Sequence, residues 1–445
     1  MSVIGIIGIL IGIVLLIWLT VKGLHVVILA PVCALIVIVM NQMAPVTSLT
    51  EVFMGGTVGF MTNMFLVLLI GAIFAQIFEK SGAALSIANT ILKVFVKGEI
   101  RSSRGILTVV ISQVAIAAIF MFGGIDGMTE LITVFPICLA MCKRMNITRN
   151  LVPALAFTTG VWAMCSPGAP QAVNYLAAQL CGTSSTAGLI PGLIAAAVMA
   201  VFTIWYLYFE MKRAMKLNQT FESLPDDPDM SEDRRLPNFW VSIIPMVVIF
   251  IAYNVLKLEL VVALAIGVVL AIIILSPTLL EGPKGKFGEF SSVLGKGADV
   301  GVRITVIAAV LAGFGNVVSN TPTFNPLMEK ISSTPIPILF ICLVIVAVIC
   351  AITSNSNGGI QVALNITIPM AQQAGISMAA LHRVAIFAAS SLNTLPTNPG
   401  VMITCQLAKV PMKAAYRPIF VLTVVAPFVG AVIVALIYMA FPGLA

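Results

Sequence analysis

The chain has 445 residues, 60% of them hydrophobic and only 9% charged, with a mean hydropathy of +1.10. This composition lies far outside the soluble range and places nearly the whole chain in a bilayer, with no soluble enzyme domain left over. The net charge of +7 comes without a basic stripe interleaved with aromatics, which argues against a nucleic-acid partner.

Apolar runs long enough to cross a core of about 30 Å lie near 3–20, 24–41 and 57–79. The first lacks the basic start of a cleaved signal and reads as a retained span. A paired run follows near 104–142, split at Gly123-Gly124-Ile125-Asp126-Gly127, then a crossing near 149–180 interrupted at Cys165-Ser166-Pro167-Gly168, then a span near 186–209. Residues 212–237, polar and too short to fold alone, read as a linker. Beyond it come spans near 239–256, 260–276 and 298–319, a paired run near 336–373 split at a glycine-rich turn around Gly358-Gly359, a crossing near 381–409 interrupted at Thr397-Asn398-Pro399-Gly400, and a last span near 418–441.

The second half therefore copies the first. Asp126 pairs with Gln361, Glu130 with Asn365, Phe157 with Phe387, Pro167 with Pro399 and Gly168 with Gly400. The fold expected is an all-α polytopic membrane protein of two repeats, 1–211 and 238–445, each with a re-entrant helical hairpin and an interrupted transmembrane helix. Five net crossings per half make the repeats inverted and put both termini outside with linker 212–237 in the cytoplasm. Charge distribution agrees, because all Lys and Arg except Lys257, Lys330 and Arg383 then fall on or near the inner face. Around a pseudo-two-fold axis in the membrane plane the two hairpin tips meet near the midplane.

Unwound backbone in lipid persists only where protein or a watery hollow satisfies it, so the matched breaks point to a binding site. Asp126 and Glu130 are the only acids deep in a predicted span; burying one costs at least about 2.5 kcal/mol, and their i, i+4 spacing puts both on one helix face. They are the candidates for a coupling proton or cation, with Ser354, Asn355, Gln361 and Asn365 of the second copy as neutral partners able to coordinate Na⁺. The anion site is expected from Gly123, Gly124, Ser166, Gly168, Ser356, Asn357, Gly358, Asn393, Thr394, Thr397, Asn398 and Gly400. Ser166-Pro167 and Asn398-Pro399 have the polar cap followed by proline expected where a helix begins, and helix N-termini favour an anion. No Lys or Arg lies near these motifs in the sequence, so dipoles, amides and hydroxyls would hold the ligand. Asn174, Gln406, Gln113, Asn316, Ser319 and Asn320 read as weaker candidates, equally suited to bonds between helices. Eight cysteines without metal-type pair spacing and only two histidines, His25 and His382, leave no expected cofactor or transition-metal site, H⁺ or Na⁺ being the only ion invoked.

Phe74 to Gly82, its repeat at Phe314 to Thr321, the Gly-Gly hairpins and Ser390-Ser391-Leu392-Asn393-Thr394-Leu395-Pro396-Thr397-Asn398-Pro399-Gly400 resemble the gluconate permease family within the ion transporter superfamily. That resemblance implies a cation-coupled symporter of small organic carboxylates in a bacterial inner membrane, a homodimer whose transport domain moves like an elevator against a static scaffold. Ser391-Leu392-Asn393-Thr394 and Ser354-Asn355 also resemble the Ser-Asn-Thr signatures of sodium-dicarboxylate transporters. A channel and an intramembrane enzyme are the competing classes. Two inverted copies in one chain favour alternating access over a channel, and an enzyme lacks a second catalytic acid or a Ser-His set.

Overall fold

The computed structural model describes residues 3–21, 24–95, 102–125, 127–224, 235–283, 285–324, 326, 336–353, 356–396 and 398–444. Every regular element among them is helical. In chain order these are α1 (Val3–Val21), α2 (Val26–Met40), α3 (Pro45–Ser81), α4 (Ala83–Phe95), α5 (Ser103–Phe122), α6 (Gly127–Met145), α7 (Val152–Phe157), α8 (Val161–Cys165), α9 (Ala172–Cys181) and α10 (Leu189–Lys216). After the linker come α11 (Phe239–Asn254), α12 (Leu260–Leu279), α13 (Gly285–Ser319), α14 (Ile338–Thr353), α15 (Ser356–Gln373), α16 (Met378–Ala389), a 3₁₀ turn at Leu392–Thr394, α17 (Pro399–Leu407) and α18 (Met412–Ala440).

Among the described residues, α3, α5, α10, α12, α13 and α18 are long and apolar enough to cross a bilayer, and α1, α2, α11 and α14 contain shorter apolar stretches. The chain is thus a multi-pass membrane protein. Helices α3 and α13 exceed the apolar runs that announce them, starting at Pro45 and Gly285. At 37 and 35 residues and about 1.5 Å per residue they outreach the hydrocarbon. Their polar ends are tied together, Lys80 pairing with Glu289 at 2.9 Å. Left-handed Gly82 (φ 76°) stops α3 and lets the chain turn into α4, a helix that apolar run length does not reveal.

α3 and α13 run antiparallel along a seam of small residues. A Cβ at Gly297 would lie 2.7 Å from Ile73 Cα, one at Gly301 2.7 Å from Leu69 Cα, and one at Gly313 2.7 Å from the Phe53 carbonyl oxygen. Only glycine lets the backbones approach this closely, the small-xxx-small device of membrane helices. Buried side chains from α3 to α18 form one continuous core, and a smaller cluster joins α1 and α2 to α13 and α15.

Candidate substrate site at the hairpin tips and helix breaks

The first hairpin turns at Gly123-Gly124, between α5 and α6. Gly124 adopts φ 80°, a left-handed conformation that side chains resist, while Gly123 backs onto Met246 of α11. The turn carbonyls of Met121 and Ile125 both accept from Gln171 Nε2, at 2.8 and 3.1 Å. Asp126, next in the chain, lies outside the described residues. Glu130, one turn into α6, is 3% exposed, and its Oε2 would lie 2.7 Å from a Cβ at Gly160. Gly160 belongs to the first interrupted helix, so this carboxyl sits against a break.

That helix is broken twice. Thr158 to Gly160 separate α7 from α8, and Ser166 to Gln171 separate α8 from α9. The expectation that Ser166 caps a helix starting at Pro167 is overturned. Ser166 is the C-cap of α8, its hydroxyl donating back to the Trp162 carbonyl at 2.9 Å, and helix resumes only at Ala172. Two local features forbid an earlier start: Gly168 is left-handed (φ 77°), and Ala169 precedes Pro170, which disfavours helical backbone. Gly168 is buried, its N–H bonded to the Ser185 carbonyl at 3.1 Å and its carbonyl accepting from Asn254 Nδ2 at 2.8 Å.

The expectation of no cation near the motifs is also overturned. Arg383, on α16, is fully buried and spreads its guanidinium over the first break. Its Nη1 donates to the Cys165 carbonyl at 3.2 Å and to Asn174 Oδ1 at 3.3 Å, while Nε and Nη2 reach the Ala187 carbonyl at 2.9 and 2.6 Å. Asn174 in turn donates to the Met164 carbonyl at 2.8 Å. The open C-terminal end of α8 is thus closed by side chains, which a buried carbonyl needs to avoid a cost of about 1–3 kcal/mol. Arg149 works similarly at the opposite end, 5% exposed, donating through Nε to the Ala408 carbonyl just past α17 at 2.5 Å and through Nη1 to the Glu222 carbonyl at 3.1 Å.

In the second half of the chain, Gly358 and Gly359 lie inside the first turn of α15 rather than at the turn itself, and Gly358 packs on α13 beside Leu311 and Ala308. Ser354, Asn355 and Thr397 fall outside the described residues. Ser356 Oγ donates to the Ala389 carbonyl at 3.2 Å and accepts from Asn393 Nδ2 at 2.6 Å, so this hairpin meets the end of α16. Asn398 caps α17 by accepting from Gly400 and Val401 N–H at 2.7 and 3.2 Å, with Pro399 in the first turn, and donates to the Asn393 carbonyl at 2.8 Å. Gly400 lets α17 start against Phe157 of α7. Thr394 faces α18, donating to Thr423 Oγ1 at 2.7 Å in a π-helical stretch. Gln361 is 8% exposed whereas Asn365, one turn on, is exposed, so the two amides do not share one buried environment.

Parts of both halves of the chain meet at one hollow of about 80 Å³. It is lined by Gly124 of the first turn, by Pro170, Gln171 and Ala172 where the first interrupted helix resumes, by Asn357 of the second hairpin, and by Val67, Leu68, Gly71, Ala72 and Gln76 of α3, Leu260 and Leu264 of α12, and Val300 and Ile304 of α13. Its volume suits a few waters. Helices α9 and α15 begin at this hollow, the first without a side-chain cap. Gln76, Gln171 and Asn357 are its polar side chains. Sequence reasoning missed Gln171 and Arg383; an amide directly after Pro170 and an arginine inside an apolar run were the available signals.

Helices that break inside the bundle, stitched by buried donors beside a small hollow, belong to a multi-pass membrane protein whose relatives are transporters. The family is narrower: the model of the GntP family permease matches residues 3–440, and the chain belongs to that family. It is 25% identical over 451 residues to an uncharacterized transporter, YxjC, of Bacillus subtilis (strain 168), covering 91% of this chain and 92% of that one. In fold it is similar to the YdaH transporter of Alcanivorax borkumensis, whose crystal structure shows an unusual topology, with a TM-score of 0.60 and 14% identity over 90% of each chain.

Proposed function

We propose that the protein is a cation-coupled symporter, driven by H⁺ or Na⁺, that moves a small organic carboxylate across a bacterial inner membrane. The observation that carries this reading is the shared hollow, where Gly124, Ala172 and Asn357 meet against α3, α12 and α13. Carbonyls of the first hairpin turn are taken by Gln171, and those at the breaks by Asn174, Arg383, Ser356 and Asn398. The positive ends of α9 and α15 then face the hollow, which favours an anion. Glu130, with Asp126 ahead of it in the chain, supplies the ionisable group for coupling.

Inverted repeats, 1–211 and 238–445 about linker 212–237, account for the glycine seam. In the register that pairs Phe74 with Phe314, the Gly297–Ile73 approach maps onto Gly313–Thr57, which is also a close approach. A contact that returns to itself when halves are exchanged is what a two-fold axis between α3 and α13 requires. The hollow lies between those helices and the hairpin–break assembly, which suits elevator movement of the assembly along them in a homodimer. Both termini then lie outside.

The test is uptake by proteoliposomes of labelled mono-, di- and tricarboxylates under an imposed H⁺ or Na⁺ gradient. Accumulation of one class under one gradient, lost in Asp126→Asn, is expected. Gradient-independent flux that does not saturate, or full accumulation by Asp126→Asn, would overturn the reading.

A further inference from the structure

We propose that Gln171 is a positioning residue that latches the tip of the first hairpin to the wall of the hollow. It occupies the N-cap position of α9 with extended backbone (φ −102°, ψ 144°), yet its side chain makes no bond into its own helix. Instead both hydrogens of its amide leave the helix, one to the Met121 carbonyl at 2.8 Å and one to the Ile125 carbonyl at 3.1 Å. These carbonyls flank Gly123-Gly124, and Ile125 directly precedes Asp126 in the chain. One side chain therefore bridges the two flanks of the turn. Gln171 is 7% exposed and lines the hollow together with Gly124 and Asn357, so it stands between ligand space and hairpin tip.

The second hairpin is held differently. Its Ser356 is gripped by Asn393 and the Ala389 carbonyl, groups that precede the helix start at Pro399, whereas Gln171 immediately precedes the helix start at Ala172. In the register that pairs Pro167 with Pro399, Gln171 falls opposite Ile403, which has no amide to offer. Opening the first tip thus requires breaking two bonds to one amide. Gln171 controls the release of the first tip.

The latch is tested without any substrate, so its outcome is separable from the symporter reading on which its functional meaning rests. Hydrogen exchange of the purified full chain is followed at Gly123, Gly124 and Ile125, whose N–H groups are bonded to Ile119, Met121 and Phe120 carbonyls. Gln171→Met, which keeps the volume and removes both donors, is expected to speed exchange there by about tenfold or more, corresponding to about 1.4 kcal/mol, with α10 unchanged. Gln171→Glu adds a pH signature. Its exchange ratio to wild type is expected to be large when the carboxylate is ionised and to shrink on acidification, as the neutral acid regains one donor. Where uptake of a labelled carboxylate probe is measurable, both variants should raise KM more than they lower the maximal rate. Unchanged turn exchange in both variants, a uniform rise along the whole chain, or a pH-independent ratio for Gln171→Glu would overturn the proposal.

Discussion

Arg383 donates to the carbonyl oxygen of Cys165 across 3.2 Å, so a cation on one interrupted helix closes the loose end of a half-helix in the other. The same guanidinium reaches the Ala187 carbonyl from two nitrogens. Such a planar fork is what arginine offers and lysine does not.

Arg383→Ala is accordingly expected to lower stability by about 3 kcal/mol, because several buried carbonyls lose charged donors at once. Arg383→Lys should recover only part of this, having one nitrogen in place of three. Thermal unfolding in detergent checks the order wild type, Lys, Ala; a lysine variant equal to wild type would refute the fork argument.

Glu130 sits against Gly160, where an added methyl would come within 2.7 Å of its carboxylate oxygen. Gly160→Ala is therefore expected to displace the carboxyl and impair gradient-driven uptake much as Glu130→Gln does, while leaving protein yield intact. Paired uptake and size-exclusion measurements decide, and full accumulation by both variants would remove Glu130 from coupling.

Asn398 makes both cap bonds at the start of α17. Asn398→Ala should cost about 1 kcal/mol through the lost cap and weaken carboxylate binding by loosening the Asn393 carbonyl. Asn398→Asp keeps the cap acceptor and should retain most of the stability. Thermal midpoints combined with binding titrations separate the two effects.

The α3–α13 seam offers an internal control. Gly301→Leu forces a side chain into the Leu69 backbone, whereas at Gly295 an added Cβ meets nothing within 4 Å, so Gly295→Leu is the control. The first is expected to cost about 1–3 kcal/mol or more by overpacking and the second almost nothing. Equal yields and midpoints for the two variants would contradict the close approach.

Much of this architecture is legible in the sequence because its punctuation has a steric cause. Gly123-Gly124 marks a turn since position 124 needs a left-handed backbone, and Asn398-Pro399 marks a helix start since cap and proline agree there. Ser166-Pro167 misleads for the same kind of reason: the local cap signal is outweighed by left-handed Gly168 and by Pro170 three residues beyond Pro167. Arg383 shows in the sequence only as an arginine inside an apolar run; counting charges by side assigns its guanidinium to water, whereas carbonyls at 165, 185 and 187 draw it fully inside. Tertiary acceptors of that kind have no signature in linear spacing.

Arg149 and Arg383 fasten the two interrupted helices from opposite ends, at the Ala408 and Cys165 carbonyls. Heat or detergent that frees one helix must strip donors from the other, so the pair should melt as one cooperative unit. A partly denatured population with a single interrupted helix undone is then not a state this molecule can dwell in.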